Sequence, residues 1–138
     1  MYNNPDDQTI KELLNNCHTI AIVGLSDKPQ RDSFKVANYL QQHGYRIIPV
    51  HPRVTEVLGE KAYKTLADIP DQIDLVNVFR KSEDTPPVVE QAVSLKPKAI
   101  WLQLGIANEE AAQIATRAGI TFVQDRCIKI EHARLLGE

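Results

Sequence analysis

Short apolar runs alternate with amphipathic segments along the chain, and this alternation predicts the fold. Five short, nearly continuous apolar runs are typical of strands buried on both faces, and they lie at 18–24, 45–52, 74–79, 98–105 and 120–127. Apolar residues at helical spacing predict helices at 10–17, 33–44, 85–95, 108–119 and 128–136. Parallel strands require crossover connections, so the pattern indicates an α/β fold. We expect a single three-layer, Rossmann-like domain with a five-stranded parallel sheet over residues 1–138.

Polar residues and prolines refine these boundaries. Ser33 and Asn108 are predicted to cap the starts of their helices, because their side chains can accept a hydrogen bond from the first turn. Pro49 has no N–H, so the second strand is predicted to lack a full ladder of hydrogen bonds on one side. Residues 53–73 are less regular and predict a loop followed by a short helical turn.

Composition and charge exclude several classes of protein. The chain has 138 residues and a net charge of −2, so no basic excess indicates a nucleic-acid binder. No apolar stretch reaches the roughly 18 residues that span a membrane, and the polar, acidic N-terminus is not that of a signal peptide. Cys17 and Cys127 lie far apart without metal-ligand spacing, so we expect two reduced thiols in a cytoplasmic protein.

Cations follow three of the predicted strands, although the chain is slightly acidic overall. These cations are Lys28, Arg31, Lys35, Arg53, Arg80 and Lys81. In parallel sheets, ligands bind at the carboxyl ends of the strands, so the cations predict a small anionic ligand such as a phosphate. A helix start near Ser33 and the hydroxyls of Ser26 and Ser33 suit the same ligand. The alternative interpretation is that the cations are solvated loop charges.

The residues after the second strand narrow the ligand class. Enzymes that bind NAD place an acidic residue here to hold a ribose hydroxyl, whereas this chain has His51-Pro52-Arg53. An arginine attracts a phosphate that a carboxylate would repel, so the position favours a phosphorylated ribose. The 2′-phosphate of NADP and the 3′-phosphate of coenzyme A (CoA) both fit, and these residues alone do not separate them.

Five segments together resemble a known family. They read GLSDKPQRDSFKVANYL, GYRIIPVHP, VNVFRKSE, AIWLQLGIANEEAAQIATRAG and DRCIKIEH. In this order the chain resembles, over residues 10–136, the small stand-alone CoA-binding proteins, which are similar to the CoA-binding domain of the succinyl-CoA synthetase alpha subunit. The resemblance implies a pyrophosphate site at Gly24, Leu25, Ser26, Arg31 and Ser33, with the cation Lys28 nearby. It further implies that His51, Pro52 and Arg53 flank the 3′-phosphate, Phe79 and Arg80 border the adenine, and Gln103 to Gly105 follow the pantetheine.

The function expected from this resemblance is binding of CoA or an acyl-CoA by a non-catalytic module. The synthetase's later domain, which supplies a phosphorylated histidine, has no counterpart in this sequence, so ligase chemistry is not expected. An NADP-type dinucleotide-binding protein, redox-active or a sensor, is the main alternative. A further alternative is an interaction subunit with a vestigial pocket.

One cluster near the C-terminal end invites a catalytic interpretation. Cys127 follows the fifth strand, and Glu131 and His132 lie one helical turn later, which suggests a nucleophile or a thiol that forms a mixed disulfide with CoA. The favoured interpretation is structural: a buried thiol, a packing pair, and an ion pair between Asp125 and Arg126. The four histidines have no paired spacing, so no metal site is expected.

Overall fold

A five-stranded parallel sheet forms the centre of the computed structural model, which describes residues 1–137. The strands are β1 (Thr19–Val23), β2 (Arg46–Val50), β3 (Glu56–Val57), β4 (Glu60–Lys61), β5 (Leu75–Val78), β6 (Ala99–Leu102) and β7 (Thr121–Val123). The helices are α1 (Asp7–Asn16), α2 (Asp32–Gln42), α3 (Thr85–Ser94), α4 (Glu109–Arg117) and α5 (Ile128–Leu136). The large sheet has the order β2-β1-β5-β6-β7 with every neighbouring pair parallel, which confirms the predicted α/β, Rossmann-like fold.

Helices cover both faces of the sheet and give it three layers. On one face, Ile22, Leu75 and Trp101 pack with buried residues of α1, α2 and α5. On the other face, Val76 and Leu102 pack with buried residues of α3 and α4. Trp101 is fully buried between the sheet and these helices. In the described part of the chain, no helix combines the length and the apolar character needed to cross a membrane.

One predicted helix cap is confirmed and another is wrong. The side chain of Asn108 accepts a hydrogen bond from Ala111 N at 2.9 Å and caps α4. By contrast, α2 starts at 32 with Arg31 as its N-cap, so Ser33 lies inside the first turn. The Ser33 hydroxyl is unavailable as a cap because it accepts a hydrogen bond from Ser26 N at 3.0 Å. It therefore ties the preceding loop to the helix.

Residues 53–73 contain more structure than the sequence indicates. A two-residue turn at Leu58 and Gly59 joins β3 and β4, and both turn residues have positive φ, 53° and 80°. Positive φ is uncommon outside glycine, so Leu58 gave no turn signal. Beyond this hairpin, Tyr63 N donates to Pro49 O and His51 N donates to Tyr63 O, both at 2.9 Å. Within residues 1–137 this bridge is the only pairing on the outer side of β2, in agreement with the incomplete ladder predicted from Pro49.

The strand order places a crevice between β1 and β5. The chain leaves β1 through α2, which covers one face of the sheet, and leaves β5 through α3, which covers the other. Connections that diverge to opposite faces leave an open space at the carboxyl ends of the two strands, and ligands of doubly wound sheets bind there. The predicted cationic residues lie in the loops and helix that follow β1, β2 and β5, so they are all near the carboxyl-terminal edge of the sheet.

Candidate functional site

Gly24 forms the floor of this crevice. Gly24 N donates to Val50 O, and Phe79 N donates to Val23 O, both at 2.8 Å, so the backbones leaving β1, β2 and β5 lie close together. The φ of Gly24 is 88°, and a Cβ at this position would lie 2.2 Å from Phe79 O. Glycine is required here both for its left-handed backbone and for its missing side chain.

A cleft of about 750 Å³, here called the first cleft, opens above Gly24. Its lining includes eight of the predicted site residues: Gly24, Ser26, Lys28, Arg31, Ser33, His51, Arg53 and Phe79. Asp27 and Asp32 also line the cleft, so three cations face two carboxylates and the lining has a small positive excess. The volume lies in the range of small-molecule sites, about 300–1,000 Å³.

Backbone hydrogen bonds hold both serines of the loop after β1. Ser26 N donates to Ser33 Oγ at 3.0 Å, and Lys28 N donates to Ser26 Oγ at 3.1 Å. Each hydroxyl oxygen accepts from the backbone, which leaves its proton available to donate into the cleft. At the adjacent start of α2, the N-cap Arg31 makes no side-chain cap bond. The free N–H groups and the positive end of the helix dipole therefore border the same cleft.

Charged groups from three strand ends meet at His51. Burial lowers the pKa of His51 below its usual value, and the cations Arg80 and Arg53 lower it further, while Asp27 opposes them. Arg53 N donates to His51 Nδ1 at 3.1 Å, so the neutral ring carries its proton on Nε2. Because Arg80 follows β5 and Arg53 follows β2, their joint effect on one imidazole shows that these predicted cations converge.

A second cleft, of about 630 Å³, adjoins the first, and Asp32 and Phe79 belong to the walls of both. The predicted site residues Arg80 and Gln103 line this second cleft rather than the first. Its other lining residues include the cations Lys35, Lys81 and Lys129 and the apolar residues Val36, Leu104, Ile106 and Ile130. The second cleft therefore has apolar walls with a cationic rim.

Gln103 presents an amide N–H group to the second cleft. This residue directly follows β6 and is only 6% exposed. Its Oε1 accepts long hydrogen bonds, both at 3.4 Å, from Asn77 Nδ2 and Ile128 N. Two donors on one side fix the orientation of the amide, so Nε2 points away from them. Nε2 has no partner among residues 1–137, which leaves it as a donor for a carbonyl oxygen in the cleft.

Three predicted site residues, Leu25, Pro52 and Gly105, line neither cleft. The side chain of Leu25 is fully buried in the core, so only its backbone is available to a ligand. Conversely, Val54 lines the first cleft and Ile130 lines the second, although no sequence pattern predicts either position. Ile130 reaches the second cleft because β6 and β7 are neighbours, and strand order is not visible in a local pattern.

The predicted ion pair between Asp125 and Arg126 is wrong. Asp125 has a φ of 58°, and this left-handed conformation sends the two consecutive side chains in different directions. Asp125 Oδ1 accepts a hydrogen bond from Gly105 N at 2.8 Å and ties the loop after β6 to the loop after β7. Arg126 pairs instead with the buried carboxylate of Glu131 at 3.1 Å.

The cysteine, histidine and acid of the C-terminal cluster do not assemble into a catalytic group. Cys127 lines the second cleft, whereas His132 Nδ1 bonds to Tyr39 Oη at 2.9 Å and lines a separate cavity. Glu131 is occupied by arginines. The geometry therefore places no histidine base beside the Cys127 thiol within the described residues.

The sequence and the fold are similar to those of known proteins. The chain is 46% identical to the protein YneT of Bacillus subtilis (strain 168) over 130 residues, which cover 94% of this chain and 96% of YneT. A structure from Pyrococcus horikoshii OT3 matches with a TM-score of 0.94 and 42% identity, covering 99% of each chain. The alpha subunit of the ADP-forming acetate–CoA ligase II of Pyrococcus furiosus is 27% identical over 133 residues, and the match covers 87% of this chain and 29% of that subunit.

The matching family model covers the whole candidate site. It describes a CoA binding domain and matches residues 18–133, a range that contains every residue lining the two clefts. The range also includes all five strands of the large sheet. From this match and from the similarity to CoA ligase subunits, we conclude that the chain belongs to the CoA binding domain family.

Proposed function

We propose that the protein binds coenzyme A, free or acylated, as a small non-catalytic module, with the phosphates in the first cleft and the pantetheine arm in the second. The observation that carries this proposal is the convergence of cations, serine hydroxyls and a helix N-terminus on one cleft, in a chain with a net charge of −2. Membership of the CoA binding domain family supports the same ligand. CoA has one highly charged end and one largely uncharged arm, which suits the two adjoining clefts.

The proposed pyrophosphate site lies at the start of α2. Arg31 and Lys28 supply positive charge, and the free N–H groups of the first helical turn supply donors. The close approach of the backbone at Gly24 keeps the floor low enough for phosphate oxygens to reach these groups. The carboxylates of Asp27 and Asp32 repel an anion, so the positive charges in the lining are needed to make the potential in the cleft favourable for phosphate.

The proposed 3′-phosphate site lies at the end of β2. Arg53 offers a guanidinium fork that matches a phosphate, and His51 offers its Nε2–H from the same side of the cleft. Phe79 and Arg80 border the proposed adenine position. NADP also carries a ribose phosphate that Arg53 suits, so an NADP-type binder is the alternative that the experiment has to separate.

The proposed pantetheine path crosses Phe79 into the second cleft. Pantetheine contains two amide groups, and Gln103 Nε2 is placed to donate to one of their carbonyl oxygens. The apolar walls suit the rest of the arm. Because no base is positioned beside the thiol of Cys127, we assign binding rather than acyl transfer to this arrangement. Two free cysteines suit a reducing compartment, and we propose the cytoplasm.

Calorimetric titration of an Arg53→Ala variant tests the proposal. Loss of a charge-assisted hydrogen bond costs about 1.5–3 kcal/mol, so affinity for CoA should fall about 10- to 100-fold. Affinity for dephospho-CoA should change less than about threefold, because that ligand lacks the 3′-phosphate. An Arg117→Ala variant is the matched control, since Arg117 is exposed on α4 and bonds only to Gln113 within residues 1–137.

Three outcomes contradict the proposal. Equal losses for CoA and dephospho-CoA mean that Arg53 does not hold the 3′-phosphate. Tighter binding of NADP than of CoA by the unsubstituted protein favours the dinucleotide alternative. Binding of neither ligand by the folded protein overturns both assignments.

A further inference from the structure

The second cleft contains a thiol that the proposed binding function does not use. Cys127 is partly exposed, unpaired with the other cysteine, and lines this cleft. It is the N-cap residue of α5, and its sulfur forms no cap bond to the helix. Cys17 is also free, but it is only 7% exposed, it lies outside this cleft, and burial raises its pKa to about 12. The chain therefore has one thiol open to a ligand and one protected thiol.

Gln103 is a second, independent feature of this cleft that points to a ligand. The residue is only 6% exposed, two donors orient its amide, and Nε2 forms no hydrogen bond within residues 1–137. Nε2 is not among the fully enclosed side-chain atoms that lack a partner, so it reaches the open cleft, where a carbonyl oxygen of a bound molecule would accept its hydrogen bond. Gln103 and Cys127 line the same cleft, so the molecule that meets the amide also approaches the sulfur.

The surroundings of the sulfur favour disulfide exchange over acyl transfer. Lys35, Lys129 and Arg80 line the same cleft, and reactive cysteines are found in electropositive, partly exposed surroundings. No histidine lines the cleft, so no imidazole is placed to activate the thiol for attack on a thioester. The rim residue Leu104 is 60% exposed, so the cleft opens to solvent and a leaving group can depart.

We propose that Cys127 is a covalent modification site that forms a mixed disulfide with coenzyme A by exchange with CoA disulfide. The Cys127 thiolate attacks one sulfur of the CoA disulfide, a new S–S bond forms to that CoA, and the second CoA leaves as a thiolate that takes up a proton. The disulfide reagent is the oxidant, so the electrons balance without another co-reactant. This inference rests on the proposed function, because phosphates in the first cleft direct the sulfur end of CoA across Phe79 to the second cleft.

Intact-protein mass spectrometry of the reduced full chain tests the inference. After removal of reductant, CoA disulfide should add one CoA moiety, and dithiothreitol should remove it. We expect the adduct to form at least tenfold faster with CoA disulfide than with glutathione disulfide at the same concentration. Acetyl-CoA, which has the phosphates but no free thiol, should slow the reaction. Cys127→Ser should abolish the adduct, whereas Cys17→Ser should retain it.

The outcomes separate this inference from the proposed function. Calorimetry with acetyl-CoA measures binding independently of any cysteine chemistry. If acetyl-CoA binds and CoA disulfide leaves Cys127 unmodified, the inference is overturned and the proposed function stands. If acetyl-CoA does not bind and both disulfides react at equal rates, both are overturned.

Discussion

Replacement of Gly24 by alanine should lower the free energy of unfolding through two separate effects. At a φ of 88°, an alanine would adopt a backbone conformation that costs L-residues about 1–3 kcal/mol. Its Cβ would also lie 2.2 Å from Phe79 O, far inside the 3.4–4 Å of an ordinary contact. Relief of that overlap requires the backbones after β1 and β5 to separate and strains the 2.8 Å hydrogen bond from Phe79 N to Val23 O. Overpacking of this kind costs a further 1–3 kcal/mol or so.

Gly44→Ala is the matched control for this substitution. The φ of Gly44 is 93°, close to that of Gly24, but a Cβ there meets no atom within 4 Å. The backbone cost is common to both positions, so we expect Gly44→Ala to lower the free energy of unfolding by about 1–3 kcal/mol. Gly24→Ala adds the overlap with Phe79 O and should lower it by about 2–6 kcal/mol, which is about 1–3 kcal/mol more than the control. At about 4 °C per kcal/mol, the melting temperature should fall by about 4–12 °C for Gly44→Ala and by about 8–24 °C for Gly24→Ala.

Thermal and urea denaturation followed by circular dichroism measure both effects. Gly24→Ala should also weaken CoA binding, because the floor of the first cleft moves with the backbone. Gly44→Ala should leave CoA affinity unchanged, since Gly44 lies outside both clefts. Equal destabilisation by the two substitutions would refute the argument, because it would show that the contact with Phe79 carries no cost.

Three further predictions concern charge. Arg31→Glu should abolish calorimetric binding of both CoA and dephospho-CoA, because it leaves two cations against three carboxylates in the first cleft; unchanged affinity would move the pyrophosphate elsewhere. Histidine NMR should show the pKa of His51 rising from its lowered value when CoA binds, since a phosphate offsets Arg53 and Arg80; a constant pKa would contradict the site. Burial lowers the pKa of His132 from 6.5, and the nearby His43 lowers it further. The unfolded chain therefore binds more protons at this residue than the folded chain does. The free energy of unfolding should fall as the pH drops below 6.5, the pKa in the unfolded chain. His132→Gln should flatten the dependence of melting temperature on pH between about 7 and 5, and an unchanged slope would refute this assignment.

The strands of the sheet could be predicted from the sequence because buried parallel strands consist of short, nearly continuous runs of apolar residues. The C-terminal helix is predicted at 128–136 and occupies Ile128–Leu136, because the helical spacing of apolar residues begins at Ile128. The cap at Asn108 was also readable, because its side chain acts on the backbone three residues away. Each of these features depends on neighbours in the chain.

Features that depend on contacts between residues far apart in the sequence could not be predicted from local patterns. The sequence predicts that Ser33 caps α2, but the loop after β1 folds back so that Ser26 N donates a hydrogen bond to the Ser33 hydroxyl. Asp125 and Arg126 look like an ion pair, but a left-handed residue turns one toward Gly105 and the other toward Glu131. The cations of the first cleft were found because strand ends converge by a general rule of parallel sheets. The second cleft was only partly anticipated, since its walls come from elements brought together by strand order.

A crystal structure of the protein grown with CoA and reductant would show whether the two clefts hold the ligand. We expect the pyrophosphate at the start of α2, the 3′-phosphate within hydrogen-bond distance of Arg53, and a pantetheine amide bonded to Gln103 Nε2. Phosphates bound away from the first cleft, or an empty first cleft at a CoA concentration that saturates the protein in solution, would contradict it.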